Sequence, residues 1–137
     1  MFPPIPRIKP AAAALSALAL AGCAALAPAT PQEAVKKRAA EYWQARISGK
    51  YEQAYALSTP SYRKLRTLDQ FRLANGPSVA AQSAEVFTVA CEAQKCTARI
   101  KIAATPAIPG LNLGTIPMYL DEIWLLEDGQ WWHYQEP

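Results

Sequence analysis

The sequence predicts an α+β domain with its helices first and an antiparallel sheet after them, and three observations carry that expectation. Apolar residues recur at helical spacing between residues 32 and 76. They alternate at strand spacing from residue 85 onward, and Asp128-Gly129 stands between two aromatic runs where a hairpin turn belongs. A chain of 137 residues, 51% hydrophobic, has room for one domain and the composition of a globular protein.

The first segment reads as an address. Arg7 and Lys9 precede an uncharged alanine-rich stretch that ends in Leu20-Ala21-Gly22-Cys23, and no acidic residue appears before Glu33. That is the layout of a secretory signal. L-A-G-C resembles the lipobox, in which small residues fit the peptidase and the cysteine thiol takes a diacylglyceryl group. The expected organisation is a lipoprotein signal peptide over 1–22, lipid attachment at Cys23, a tether over 23–31 and a folded domain over 32–137. An ordinary signal peptide cut near Ala27 or Ala29 is the competing reading. An uncleaved membrane helix fits less well, because the uncharged run from Ala11 to Ala27 has 17 residues and is closed by Pro28, whereas a span needs about 20 strongly apolar ones.

Export changes how charge and cysteine are read. Loss of 1–22 removes Arg7 and Lys9 and leaves 12 basic against 11 acidic residues, so the formal charge of +3 falls to +1 and gives no basis for a nucleic-acid partner. The partners expected are the membrane through the lipid anchor, a second copy or an envelope protein, and a small apolar ligand. With Cys23 acylated, Cys91 and Cys96 meet oxidising conditions and can pair, a local staple contributing about 2 kcal/mol. Ala24 follows the cysteine where some lineages place Asp; by resemblance to the enteric sorting rule this points to the outer membrane, with the domain facing the periplasm.

Residues 32–48 place Val35, Ala39, Tyr42, Trp43 and Ile47 on one helical face, with Gly49 as its stop. Glu33, Glu41, Lys36, Lys37 and Arg38 fall on the solvated side. A second helix over 51–57 turns Tyr51, Ala54 and Tyr55 inward and breaks at Pro60. Thr67 followed by Gln70 predicts a capping box, opening a third helix whose face is Leu68, Phe71 and Ala74.

Strand pairing follows from the cysteines. Setting Cys91 against Cys96 places Val89 opposite Ala98 and Phe87 opposite Ile100, with the half-cystines on the core side. After a Pro- and Gly-rich connection over 104–117, a strand over 118–127 returns through Asp128-Gly129 as 130–135. Pairing Glu127 with Gln130 separates Tyr119, Asp121, Ile123, Leu125, Trp132 and Tyr134 from Glu122, Trp124, Leu126, Trp131 and His133. Both faces are strongly apolar, and one of them must be covered by something other than three helices.

The segments A-A-E-Y-W-Q-A-R-I-S-G-K-Y-E-Q-A-Y-A-L-S-T-P-S-Y-R and E-I-W-L-L-E-D-G-Q-W-W-H-Y, in a helices-then-sheet order, resemble the nuclear transport factor 2-like (SnoaL-like) superfamily over 32–134. The resemblance implies three N-terminal helices closing a cone-shaped sheet. It also implies a pocket lined by Tyr42, Trp43, Tyr55 and Phe71 and, from the sheet, by some of Phe87, Ile100, Ile123, Leu125, Trp132 and Tyr134. Trp124, Leu126 and Trp131 are then left as an interface. The blander reading of every one of these aromatics is core.

For catalysis the sequence offers three weak candidates, Asp121, Glu122 and His133, and no complete constellation. His133 stands opposite Trp124 and diagonal to Glu122, so a Glu-His pair is geometrically available. One histidine and scattered carboxylates make no transition-metal shell, and neither cofactor nor metal is expected. The basic run at 62–66 offers contact with anionic headgroups or an anionic envelope polymer, but three charges give little affinity at physiological salt and the run reads more readily as a solvated loop. The function expected is a non-enzymatic envelope lipoprotein that binds a protein partner or a second copy. Capture of a small molecule or lipid in the cavity is the alternative, and an isomerase- or dehydratase-like enzyme comes third.

Overall fold

The computed structural model describes residues 1–4, 6, 28–76, 81–106 and 108–137. Most of the expected signal peptide, Cys23 and most of the tether therefore lie outside the described residues. Among the described residues no helix is long and apolar enough to cross a membrane.

Among the described residues four helices precede the sheet: α1 (Pro31–Ile47), α2 (Tyr51–Ala56), α3 (Pro60–Leu65) and α4 (Leu68–Asn75). Thr30 caps α1 in a full capping box with Glu33, and Pro31 sits in its first turn, where a missing N–H costs nothing. The expected Thr67 and Gln70 box caps α4. The expectation of three helices is corrected by α3. Pro60 ends α2's neighbourhood, as a proline must, but it also opens a new helix capped by the Thr59 side chain. The basic run thus lies on and just after α3, with Tyr62 buried and Arg63 donating from Nε to the Ser58 carbonyl at 3.1 Å.

The strands β1 (Ala81–Glu92), β2 (Lys95–Ala104), β3 (Ile116–Glu127) and β4 (Gln130–Tyr134) form one antiparallel sheet in chain order. Cys91 faces Cys96 and is bonded to it, and Val89 faces Ala98. The register then slips between Val86 and Thr88, so Ile100 faces Val86 and Phe87 is left over. Such an irregularity turns the extra residue outward, and Phe87 is accordingly 56% exposed.

The final hairpin pairs Glu127 with Gln130 as expected, but its two faces are reversed. Trp124, Trp131, Glu122 and His133 are buried under the helices, while Tyr119, Asp121 and Tyr134 are exposed on the outer side. Alternation defines two faces without saying which one the helices cover. α1 packs on β1, β2 and β4 and brings Val35, Ala39, Tyr42 and Trp43 against Ala98, Ile100 and Trp124. β4's far edge is closed by the segment between α2 and α3: His133 N–H donates to the Leu57 carbonyl at 2.8 Å, and Thr59 N–H to the His133 carbonyl at 3.0 Å.

Candidate functional site

Two features meet at one end of the helix-covered face. One is a cleft of about 370 Å³ lined from α1 by Trp43, Arg46 and Ile47, with Tyr51 and Asn75 beside them and Ile102, Met118 and Leu120 as its floor. The other is a buried polar pair, Glu122 and His133, 6% and 5% exposed. Along β2 and β3 the rungs Ile102–Met118, Ile100–Leu120 and Ala98–Glu122 follow one another. Glu122 is thus the next inward residue of β3 beyond those that floor the cleft.

Helix α1 positions the wall between them. Residues 43, 46 and 47 share one helical face, so Trp43 and Arg46 project together over the sheet. Trp43 Nε1 donates to Glu122 Oε1 at 2.8 Å. The Arg46 guanidinium lies over the Trp43 ring at 4.4 Å and the Tyr42 ring at 5.6 Å, and its Nη2 donates to the Asn75 carbonyl at 3.1 Å. Asn75 is itself held, donating to the Phe71 carbonyl and accepting from Gln135. Tyr42 packs its ring 4.3 Å from that of His133 and accepts a bond from Gln135.

Burial dominates the electrostatics. It pushes the Glu122 carboxyl up from 4.5 to about 7, against the Trp43 hydrogen bond, the Arg46 charge and the Trp124 N–H, which lies nearby without completing a bond. Burial, and then the Arg46 charge, hold His133 down at about 3, so its imidazole is neutral at pH 7. Burial likewise pushes the Tyr42 hydroxyl far above its ordinary range. At 3.7 Å, His133 Nε2 is too far from Glu122 Oε1 for a hydrogen bond, and with a neutral ring the contact is no ion pair. Among the described residues Glu122 Oε2, His133 Nδ1 and Arg46 Nε are all buried without a hydrogen-bond partner, an unusual concentration of unused bonding capacity.

The structure sorts the expected site residues. It brings Glu122 and His133 together and sends Asp121 to the outer face, 4.0 Å from Arg99. Of the expected pocket, Trp43 lines the cleft, whereas Tyr42, Phe71 and Ile100 are fully buried core. Tyr55 spends its hydroxyl on the carbonyls of Arg63 and Arg66. Ile123, Leu125, Trp132 and Tyr134 stand on the side of the sheet away from the cleft, and Trp132 is flanked by the guanidiniums of Arg38 and Arg63 at 5.0 and 5.2 Å. The assigned interface residues Trp124 and Trp131 are core, with Leu126 packed against them. Apart from Trp43, none of the cleft's lining residues, Arg46, Asn75, Ile102, Met118 and Leu120 among them, belongs to the expected pocket; a cation beside α1's apolar stripe is the one sequence signal for Arg46. Among the described residues no group of carboxylates, histidines and cysteines is placed to hold a metal.

No family model and no curated protein sequence matches the chain. Among solved structures it is similar to RPA3114, a SEC-C motif containing protein from Rhodopseudomonas palustris, at 12% identity, covering 68% of this chain and 69% of that one with a TM-score of 0.53. It is also similar to TsrD from Streptomyces laurentii, at 21% identity over 73% of this chain and 84% of that one, TM-score 0.53. These likenesses concern the fold, an α+β arrangement of helices on a four-stranded antiparallel sheet. They correct the expected membership of the nuclear transport factor 2-like superfamily, because the structural neighbours are a SEC-C motif protein and TsrD and no family model supports that membership. Aromatics at helix and strand spacing follow from packing helices on any antiparallel sheet, so they carried no family-specific information.

Proposed function

We propose that this domain captures a small, largely apolar molecule in the cleft between α1, α4 and the β2–β3 ladder. The observation that carries the reading is the cleft itself: about 370 Å³, an apolar floor of Ile102, Met118 and Leu120, and one guanidinium at its wall. A concave, mostly apolar site with a few fixed polar groups is the usual form of a small-molecule site. In this reading the sheet, bent where β1 slips register, curves round α1 as a cone with the cleft at one end. The lipobox adds the address, a domain held at the periplasmic face of a membrane through Cys23. The expected interface residues Trp124 and Trp131 belong to the core, so a protein-binding role would have to use the opposite face of the sheet, where Phe87, Tyr119 and Tyr134 are exposed.

The test is to purify the protein from its native membrane in mild detergent and record native and then denatured mass spectra. A bound small molecule released on denaturation, together with the mass of an acylated chain beginning at Cys23, is the expected result. Unliganded chains, or chains bound only to another protein, would return the assignment to a protein-interaction module.

A second reading rests on Glu122, a buried ionisable group one inward position beyond the cleft floor, with a proton affinity suited to acid–base work near neutrality. It predicts that Glu122→Gln still binds the copurified molecule but no longer converts it.

A further inference from the structure

Of the described residues lining the cleft only Arg46 is charged, and its geometry is that of a binding group. The guanidinium is held against the Trp43 and Tyr42 rings, while one donor goes to the Asn75 carbonyl and, among the described residues, Nε is buried with no partner. A guanidinium has five N–H donors in a rigid fork matched to oxyacid anions. Among the described residues no carboxylate lies within 4.0 Å of it. Glu122, which feels its charge, is held by Trp43 and driven toward its protonated form by burial. A cation beside an apolar floor without a counterion is an arrangement that an incoming anion relieves.

Size narrows the class further. At about 30 Å³ per heavy atom, the share of a water molecule in the liquid, a cleft of about 370 Å³ holds about a dozen heavy atoms. We infer that the molecule captured here is an amphiphile of that size with one anionic oxyacid head, carboxylate or phosphate, bound on Arg46, and an apolar tail laid on Ile102, Met118 and Leu120. This rests on the cleft-binding reading and names the ligand class it takes.

The experiment titrates the full-length protein in lipid nanodiscs with decanoate, octyl phosphate, 1-decanol and decylamine, using empty nanodiscs as the blank. Decanoate or octyl phosphate is expected to bind roughly tenfold or more tighter than the alcohol and the amine, the worth of one charge-assisted hydrogen bond. The tighter of the two anions identifies the head. Arg46→Gln should remove that preference while leaving decanol binding in place, and Leu120→Trp, which fills the cleft from its floor, should abolish binding of all four. Equal binding of decanol and the anions overturns the anionic-head inference and leaves the cleft standing. Binding of none, or binding unchanged in Leu120→Trp, overturns the cleft reading itself. Because the ligand series is run on the unaltered protein, the inference can fail even if a variant does not fold.

Discussion

Trp43 donates from its indole nitrogen to Glu122 at 2.8 Å, joining the last third of α1 to the middle of β3 across 79 positions of sequence. The bond separates core from cleft. On one side lie Tyr42, Trp124 and His133, and on the other lie Arg46 and the apolar floor. Deleting the acceptor would leave a buried indole N–H unsatisfied, whereas Gln in its place keeps an acceptor and removes the charge.

Glu122→Gln should therefore change the pH dependence of stability. The folded protein holds the Glu122 proton up to about pH 7, against an ordinary 4.5, so the associated stability is complete below about 4.5 and is lost as pH rises through 7. Denaturant melts of the variant and the unaltered protein at pH 4.5 and pH 8 should show the variant gaining on the order of 3 kcal/mol between them. A difference that stays constant with pH would contradict the buried, proton-holding carboxyl.

His133 carries the opposite sign. Its folded value of about 3 lies below the ordinary 6.5, so its stability is complete above 6.5 and is lost as pH falls toward 3. His133→Phe removes that loss, and its acid unfolding midpoint should move to lower pH. An unchanged midpoint would mean that the imidazole is hydrated or paired in the folded protein.

The reversed hairpin gives a direct contrast. Trp124 is fully buried, and Trp124→Ala should cost about 3–5 kcal/mol. Tyr134→Ala, on the exposed side at 41%, should cost well under half of that. Comparable losses at both positions would contradict this placement, and a larger loss at Tyr134 would put the hairpin the other way round.

Gly76 closes α4 at the rim of the cleft, and a methyl group there would stand 2.5 Å from the Arg72 carbonyl oxygen. Gly76→Ala should destabilise by about 1–3 kcal/mol and weaken binding of any cleft ligand. A neutral effect on both would show that the α4 terminus yields easily.

Much of this was legible in the sequence, and the differences have two causes, one local and the rest long-range. The α1 stripe, the capping box at Thr67, the Cys91–Cys96 rung and the Glu127–Gln130 turn each depend on neighbours a few residues away, and each is present. α3 was missed because Pro60 was read only as a stop, although Thr-Pro is also a good start. Phe87 and the sidedness of the last hairpin depend on long-range packing. Two equally apolar faces look alike until β2, through Ala98 opposite Glu122, says which one meets α1. Register brings Glu122 and His133 side by side, as the sequence allows, but on the helix-covered face and without a bond between them. Arg46 was missed because its role depends on the Trp43 ring beneath it and on the sheet opposite.

The central claim, that the helix-side cleft is the ligand site, is tested most directly by methyl NMR. With isoleucine, leucine and methionine methyls labelled, decanol and then decanoate are titrated into the protein. The account predicts that Ile47, Ile102, Met118 and Leu120 signals shift to saturation, while Ile123 and Leu125 on the opposite side of the sheet stay in place. Shifts confined to Ile123 and Leu125, or none anywhere at saturating ligand, would contradict it.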